Sequence, residues 1–237
     1  MSFAWSSKLA THYPLSKSTN VSTTITTTPI FRDHYDEWTI NRVNKLINIF
    51  GTQWFNGKTI LELGSGSGHV GSKLIKLGAN VCFTDGRLQH IENIKSLYPD
   101  NLCYVIDQDH PYNLEKTFDL VIHWGVLYHL NDWKQDLLSA FKHSSIICLE
   151  TEVCDSNDDI EIQISESLDH YDHAINLIGT RPSAPSIENF IKSQNREFVR
   201  YDHSDLNSSN FHVYDWKQGS VCPGEWKAGM RRFWLIT

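Results

Sequence analysis

Short apolar runs alternate with helical patterns along most of the chain. Five runs are predicted as buried strands, at residues 59–63, 80–84, 102–106, 118–123 and 145–149. Between them, apolar residues recur three and four positions apart, as they do on the buried face of a helix. Strands that alternate with helices and are apolar on both faces are typical of a parallel sheet covered on each side. The pattern therefore predicts an α/β fold.

Further elements flank this alternating core. Asp33 is predicted to cap a first helix that ends at Gly51, with apolar residues at helical spacing: Val43, Leu46, Ile47 and Phe50. After the fifth strand, Ser186 is predicted to cap a short helix, and residues 197–201 and 230–236 are predicted as the last two strands. The segments at about 151–185 and 203–229 are polar and read as irregular insertions on the substrate side.

Residues 1–30 differ from the rest because they are rich in Ser and Thr and carry only a weak strand alternation. We expect a flexible or loosely docked segment there. The chain of 237 residues, with 40% hydrophobic and 21% charged residues, suits one α/β core. We therefore expect residues 31–237 to form a single domain.

The strand at 59–63 leads directly into a glycine cluster that contains Gly64, Gly66 and Gly68. Glycine has no Cβ, so the backbone can turn sharply and approach a ligand, and a helix that follows presents unpaired N–H groups. Asp85 and Asp107 end the next two strands. The spacing Gly66-x-Gly68-x-x-Gly71 also fits a dinucleotide turn, in which Asp85 would hold a ribose.

Glu62 extends the cluster to E-x-G-x-G-x-G, and the segment Leu61-Glu62-Leu63-Gly64-Ser65-Gly66-Ser67-Gly68 resembles the first motif of the class I S-adenosylmethionine-dependent methyltransferases. The resemblance extends over residues 59–152. It implies a doubly wound, mostly parallel seven-stranded sheet with an antiparallel last strand, the Rossmann-like methyltransferase fold. It also implies S-adenosylmethionine as the cofactor.

The resemblance gives each part of the cofactor a candidate partner. Asp85 would accept from the ribose hydroxyls, and Asp107, with Gln108 beside it, from the adenine amino group. The glycine turn would let the amino acid tail of the cofactor run close to the backbone, and Glu62 would orient the turn or the ammonium group. The candidate cofactor-binding residues are Glu62, Gly64, Ser65, Gly66, Gly68, Asp85, Gly86, Asp107, Gln108, His123 and Trp124.

In that family, the residues after the fourth strand border the transferred methyl. The candidate catalytic residues here are His129, His123 and Tyr128. A histidine has a pKa suited to a base if the acceptor carries a proton, whereas a carboxylate acceptor needs no base. A histidine at such a turn can equally fix the loop by hydrogen bonds. The candidate substrate-binding residues are Tyr35, Trp38, Glu150, Glu152 and Arg181, although a surface ion pair would also explain Arg181.

Net charge bears on the acceptor. A charge of −7 works against binding to a nucleic acid backbone, so a small-molecule acceptor is favoured, with methylation at O, N or carboxyl and S-adenosylhomocysteine as by-product. A local patch of Lys227, Arg231 and Arg232 leaves RNA or protein methylation open. Two further alternatives are an NAD-linked oxidoreductase and a non-catalytic cofactor-binding subunit. Oligomeric state cannot be read from the sequence.

Cysteine and histidine spacing predicts no metal site. The five cysteines show no C-x-x-C spacing, which argues against a disulfide scaffold and a thiolate zinc site. His170 and His173 lack a clear third ligand. No apolar run is long enough to span a bilayer, and residues 1–30 lack a signal-peptide pattern, so we expect a cytoplasmic protein without a membrane partner.

Overall fold

A computed structural model describes residues 34–167 and 173–237, so the predicted segment at 1–30 and the predicted cap at Asp33 lie outside the described residues. The strands, numbered along the chain, are β1 Thr59–Leu63, β2 Asn80–Asp85, β3 Cys103–Val105, β4 Leu120–Trp124, β5 Ile147–Glu152, β6 Glu161–Ser165, β7 Ile178–Pro182, β8 Phe198–Arg200 and β9 Arg231–Ile236. The helices are α1 His34–Phe50, α2 His69–Lys76, α3 Leu88–Leu97, α4 Trp133–His143 and α5 Ala184–Ser193.

Seven of these strands form one sheet in the order β3-β2-β1-β4-β5-β9-β8. The first five strands pair in parallel, and β9 pairs antiparallel with both β5 and β8. This is the predicted fold class, a mostly parallel seven-stranded sheet with an antiparallel last strand. None of the described helices is long and apolar enough to cross a membrane.

Each face of the sheet is covered by its own apolar cluster. Ile60 and Ile122 pack with Leu46 of α1 and Leu74 of α2, whereas their strand neighbours face the side of α4 and α5. The strands are apolar on both faces because helices cover both. Buried apolar surface on each side thus holds the carboxyl ends of β1, β2 and β4 together at one edge.

Two parts of the segment at 151–185 form strands that the sequence did not predict. β6 and β7 form a separate antiparallel hairpin, with Ile162 opposite Arg181. Exposure along β6 alternates between exposed and half-buried residues, so only one face of this strand packs against protein. Such a weak alternation within an acidic segment carries little apolar signal, which is why the sequence did not predict the hairpin.

Two element boundaries also differ from the prediction. α5 begins at Ala184, and the side chain of Ser183 caps it by accepting from the amide of Ser186. Pro185 fits the first turn of this helix, where no backbone N–H is needed. β5 runs through Glu152, because Glu150 and Glu152 are buried and pair with arginine side chains rather than beginning a polar loop.

Candidate cofactor and acceptor site

A cleft opens at the carboxyl ends of the parallel strands. Its walls come from the turn after β1, the ends of β2 and β4, the segment after β3, and α1. The cleft brings together most of the residues that the sequence predicted: Tyr35, Trp38, Glu62, Gly64, Ser65, Gly66, Asp85, Gly86, Asp107, Gln108, Trp124, Tyr128 and His129. Parallel strands place their ligands at this edge of the sheet.

The turn after β1 requires glycine. Gly64, Gly66 and Gly68 have φ angles of 63°, 53° and 73°, in the left-handed region that other residues rarely adopt. A Cβ on Gly64 would lie 2.8 Å from Cβ of Val126, so a side chain would also clash. Gly68 caps α2 and does not itself line the cleft. Its contribution is therefore to the backbone of the turn.

Asp85 lies at the end of β2 and is only 7% exposed. Its Oδ1 accepts from the amide of Arg87 at 2.8 Å and lies 3.1 Å from Nδ1 of His90. Burial raises the pKa of Asp85, but the hydrogen bond and charge of His90 and the amides of Arg87 and Gly66 outweigh burial, so the pKa is lowered overall. Asp85 therefore presents a carboxylate to the cleft.

Glu62 is buried at the end of β1, and its Oε2 has no hydrogen-bond partner among the described residues. Burial raises its pKa to about 8, although the nearby amide of Gly71 acts in the opposite direction. Burial disfavours the charged form of this carboxyl group, and a cation in the cleft would offset that cost. S-adenosylmethionine carries positively charged ammonium and sulfonium groups, so this site fits it.

The two residues after β3 occupy different environments. Asp107 has a side chain that is 40% exposed, lies 3.6 Å from His110 and accepts the amide of Asp109. Gln108 is 4% exposed, and its Nε2 donates to Oδ1 of Asp136 at 3.0 Å. Both line the cleft, but Gln108 is held in place and Asp107 lies at the rim.

The structure corrects the prediction that His123 binds the cofactor or takes part in catalysis. Successive side chains of a strand point to opposite faces, and Ile122 and Trp124 are the β4 residues that line the cleft. His123 points to the other face, where it is fully buried and its Nε2 bonds to Asp136 of α4. It therefore cannot contact a ligand in the cleft.

On the acceptor side, His129 is paired with a carboxylate that the sequence did not identify. Its Nδ1 lies 2.7 Å from Oε2 of Glu166, and Glu166 also accepts from the amide of Ala174 at 2.6 Å and from Arg181 at 2.6 Å. Burial lowers the pKa of His129, against the effect of Glu166. Glu166 follows β6, so only the hairpin that the sequence missed would have placed it near His129.

Tyr128 lies between two arginine side chains. The guanidinium carbons of Arg181 and Arg231 are each 4.9 Å from its ring centroid, and Nη2 of Arg231 donates to its hydroxyl at 3.1 Å. Arg231 also lines the cleft. Arg231 and Arg232 are only 4% and 1% exposed, so they do not form the surface patch considered for RNA.

The structure also corrects the prediction that Glu150, Glu152 and Arg181 bind the substrate directly. None of the three lines the cleft, and all are buried. Glu150 accepts from Arg231 at 3.1 Å, and Glu152 accepts from the amide of Gly229 at 3.0 Å. Arg181 donates to Glu166 and to the carbonyl of Tyr128. These residues support the wall of the cleft from behind.

The described residues contain no cluster of three or more His, Cys, Asp or Glu side chains suited to a metal ion. His170 lies outside the described residues. Nδ1 of His173 donates to the carbonyl of Ser167 at 2.8 Å.

The strand order, the glycine turn after β1, the carboxylate at the end of β2 and the buried carboxyl group of Glu62 together define a class I S-adenosylmethionine-dependent methyltransferase. A family model described as a methyltransferase domain matches residues 35–196, more than half of the chain. The chain belongs to this methyltransferase domain family and is an S-adenosylmethionine-dependent enzyme. An NAD-linked oxidoreductase is thereby excluded. No curated protein matches the sequence significantly.

Several solved structures share the fold at low sequence identity. The N-terminal domain of EvdMO1, crystallised in the presence of SAH and D-fucose, matches with a TM-score of 0.60 and 16% identity over 86% of this chain and 83% of that chain. A methyltransferase from Clostridium acetobutylicum matches with a TM-score of 0.56 and 13% identity over 86% and 91%. The glycopeptide N-methyltransferase MtfA matches with a TM-score of 0.54 and 10% identity over 85% and 90%. At these identities the likeness concerns the fold alone.

Proposed function

We propose that this enzyme transfers the methyl group of S-adenosylmethionine to a hydroxyl group of a small, neutral molecule. The observation that carries the proposal is the hydrogen bond between Nδ1 of His129 and Glu166 at the wall of the cleft. The by-product is S-adenosylhomocysteine. The cofactor supplies both the methyl group and the leaving group, so the chain must bind, orient and deprotonate the acceptor.

His129 supplies the base. A hydroxyl is a weak nucleophile until its proton is accepted, and a neutral imidazole is suited to accept it. Because burial lowers the pKa of His129, the ring is neutral near pH 7. Its Nδ1–H donates to Glu166, which leaves Nε2 as the ring atom that can take a proton. Glu166 then stabilises the protonated ring.

The charges around the acceptor end of the cleft favour a neutral acceptor. Three buried guanidinium groups, from Arg42, Arg181 and Arg231, are paired with the three carboxylates of Glu150, Glu152 and Glu166. An acceptor ammonium would need a free carboxylate there, and an acceptor carboxylate would need a free cation. The ion pairs among the described residues leave neither at this end, so a hydroxyl is the best match.

The shape of the cleft supports a small acceptor. The aromatic rings of Tyr35 and Trp38 of α1 line the cleft together with Ala174 and Ile175. Burial of Arg231 and Arg232 leaves the basic patch considered for RNA without its arginines. The EvdMO1 domain, a structural neighbour, was crystallised in the presence of D-fucose, a small neutral sugar that carries hydroxyl groups.

For the cofactor, Asp85 would accept from the ribose hydroxyls, and Gly64, Ser65, Gly66 and Gly86 would allow close approach of backbone. Glu62 would face the ammonium group. Gln108, with Asp107 at the rim, would contact the adenine, and Trp124 would pack beside it. Their shared position along the cleft supports these roles.

The test is a methyl-transfer assay with S-adenosylmethionine labelled in the methyl group and separate pools of alcohols and phenols, amines, carboxylic acids, RNA and protein. We expect label in the alcohol and phenol pool. Label in the amine or carboxylic acid pool alone would overturn the hydroxyl assignment, and label in RNA or protein alone would overturn the small-molecule assignment.

Variants of His129 test the base. His129→Gln should lower the transfer rate by about 100-fold or more, because general base catalysis contributes roughly 100- to 10,000-fold. Its affinity for S-adenosylhomocysteine should change little. His203→Gln is the matched control, since His203 is exposed and does not line the cleft. Equal rates for His129→Gln and the wild type would return His129 to a structural role.

A further inference from the structure

Three side chains form a buried polar chain that leads from the far face of the sheet to the cofactor cleft. Asp136, in the first turn of α4, is fully buried. One of its carboxylate oxygens bonds to Nε2 of His123 on β4, and the other accepts from Nε2 of Gln108 at 3.0 Å. Gln108 is the member of this chain that lines the cleft.

This arrangement fixes which end of the Gln108 amide faces the cleft. A carboxylate has only acceptor atoms, so the group that Gln108 turns toward Asp136 must be its NH₂. The amide is planar, and its Oε1 therefore lies on the side away from Asp136. Without such a partner, the two ends of a glutamine side chain are nearly equivalent in shape and can exchange.

We propose that Asp136 positions Gln108 so that its Oε1 accepts from the exocyclic amino group of a 6-aminopurine, and that the pair thereby selects adenosyl over inosyl ligands. A 6-oxopurine presents a carbonyl at the same place, and two acceptors would then face each other. Asp136 is a positioning residue here, because it acts through Gln108 and does not contact the ligand. The inference rests on S-adenosylmethionine as the cofactor and is independent of the acceptor.

Burying the polar side chains of Gln108, Asp136 and His123 costs free energy, and packing alone does not explain why they are buried. Replacing buried ionic groups by apolar residues of similar volume often leaves stability unchanged or improves it. His123 also keeps a buried Nδ1 without a hydrogen-bond partner among the described residues. A carboxylate held in this setting gives Gln108 a fixed acceptor that an apolar side chain cannot supply.

The test compares the affinities of S-adenosylhomocysteine and S-inosylhomocysteine by calorimetric titration. Wild-type protein should favour the adenosyl ligand by about tenfold or more, since one buried polar group would otherwise be left unpaired. Gln108→Met, which keeps the length of the side chain but not its amide, should bring this ratio near one. Asp136→Asn can present either its oxygen or its NH₂ to Gln108, so its ratio should fall severalfold. Asp100→Asn, an exposed change, should keep the wild-type ratio.

A wild-type ratio near one, or an unchanged ratio in folded Asp136→Asn protein, would overturn the proposal. Thermal unfolding establishes whether that variant is folded. If Asp136→Asn is not folded, an NMR measurement on the wild type tests the proposal instead. In the complex with S-adenosylhomocysteine, the side-chain NH₂ protons of Gln108, assigned by their absence in Gln108→Met, should show stronger nuclear Overhauser contacts to the β protons of Asp136 than to the adenine, because they face Asp136. Contacts from these protons to the adenine and none to Asp136 would mean that the NH₂ faces the ligand and would refute the inference.

Discussion

The backbone amide of Gly66 donates a hydrogen bond of 2.8 Å to Oδ2 of Asp85. The bond joins the turn after β1 to the end of the neighbouring strand β2. One carboxylate thus holds the glycine turn in its left-handed conformation and also lines the cleft beside it. The shape of the turn and the negative charge at the end of β2 therefore depend on each other.

Replacing Asp85 should remove cofactor binding. In Asp85→Ala the turn loses its bond to the side chain, and the ribose loses an ionised acceptor. Each hydrogen bond to a charged group contributes roughly 1.5–3 kcal/mol, so we expect affinity for S-adenosylhomocysteine to fall by about 100-fold or more. Calorimetric titration measures this, with Asp100→Ala, an exposed aspartate, as the control. An unchanged dissociation constant would exclude Asp85 from ribose binding.

Glu62 should make the stability of the ligand-free protein depend on pH. Its pKa is raised to about 8 in the folded chain from an ordinary 4.5, so its contribution to stability is complete below 4.5 and is lost as pH rises toward 8. The midpoint temperature of thermal unfolding of the wild type should therefore fall over this pH range. That of Glu62→Gln should fall less, because its amide does not ionise.

Ligand binding gives an independent measurement on the same carboxyl group. If the ammonium group of S-adenosylhomocysteine pairs with Glu62, binding favours the carboxylate and releases a proton near neutral pH. Titrations in buffers of different ionisation enthalpy should show that release in the wild type and none in Glu62→Gln. Equal proton release from both proteins would contradict the assignment of Glu62 to the ammonium group.

The fold and the cofactor side were predictable because their signals are local. The apolar runs give the parallel sheet, and the connection of each strand to its helix places Gly66, Asp85 and Gln108 at one edge without any knowledge of long-range contacts. The acidic residues at successive strand ends then converge as a result of topology. This part of the site follows from neighbours in sequence.

The prediction for His123 was wrong for a geometric reason. Strand periodicity places His123 on the face opposite Ile122 and Trp124, but β4 is buried on both faces. Its apolar pattern therefore does not reveal which face borders the ligand. Only the packing of α4 against β4, which brings Asp136 to His123, settles the question.

The acceptor side depends on contacts between distant parts of the chain. His129 reaches Glu166 across 37 positions, and Tyr128 reaches Arg231 across 103. No local sequence pattern predicts either contact. Glu150 was predicted to bind substrate because it ends a strand, but β9 covers that strand and supplies an arginine that neutralises it.

Glu166 should stabilise the fold in a way that acid removes. Burial raises its pKa, but His129, the amide of Ala174 and Arg181 outweigh burial and lower the pKa from 4.5 to about 2. Its contribution is therefore present above pH 4.5 and is lost as pH falls toward 2. Urea unfolding of Glu166→Gln should show a smaller loss of stability below about pH 4.5 than the wild type, whereas Glu92→Gln, a change at an exposed glutamate, should follow the wild type. Parallel curves for wild type and Glu166→Gln would contradict the prediction.

Among the buried charged residues behind the wall of the cleft, Glu150 should be the one whose charge contributes most to stability. Its carboxylate accepts from Arg42 at 3.2 Å, from Arg231 at 3.1 Å and from the hydroxyl of Tyr214 at 2.6 Å, and all of these groups are buried. Burial lowers the pKa of Arg42, and Glu150 is the main group that opposes this.

Glu150→Gln keeps the shape of the side chain but leaves two buried guanidinium groups without their shared counter-charge. It should lower the free energy of unfolding by about 3–5 kcal/mol in urea titrations. Tyr214→Phe, which removes a single hydroxyl, should cost only about 1–3 kcal/mol. If Glu150→Gln proved no less stable than Tyr214→Phe, hydrogen bonding and not charge would be what the buried cluster requires.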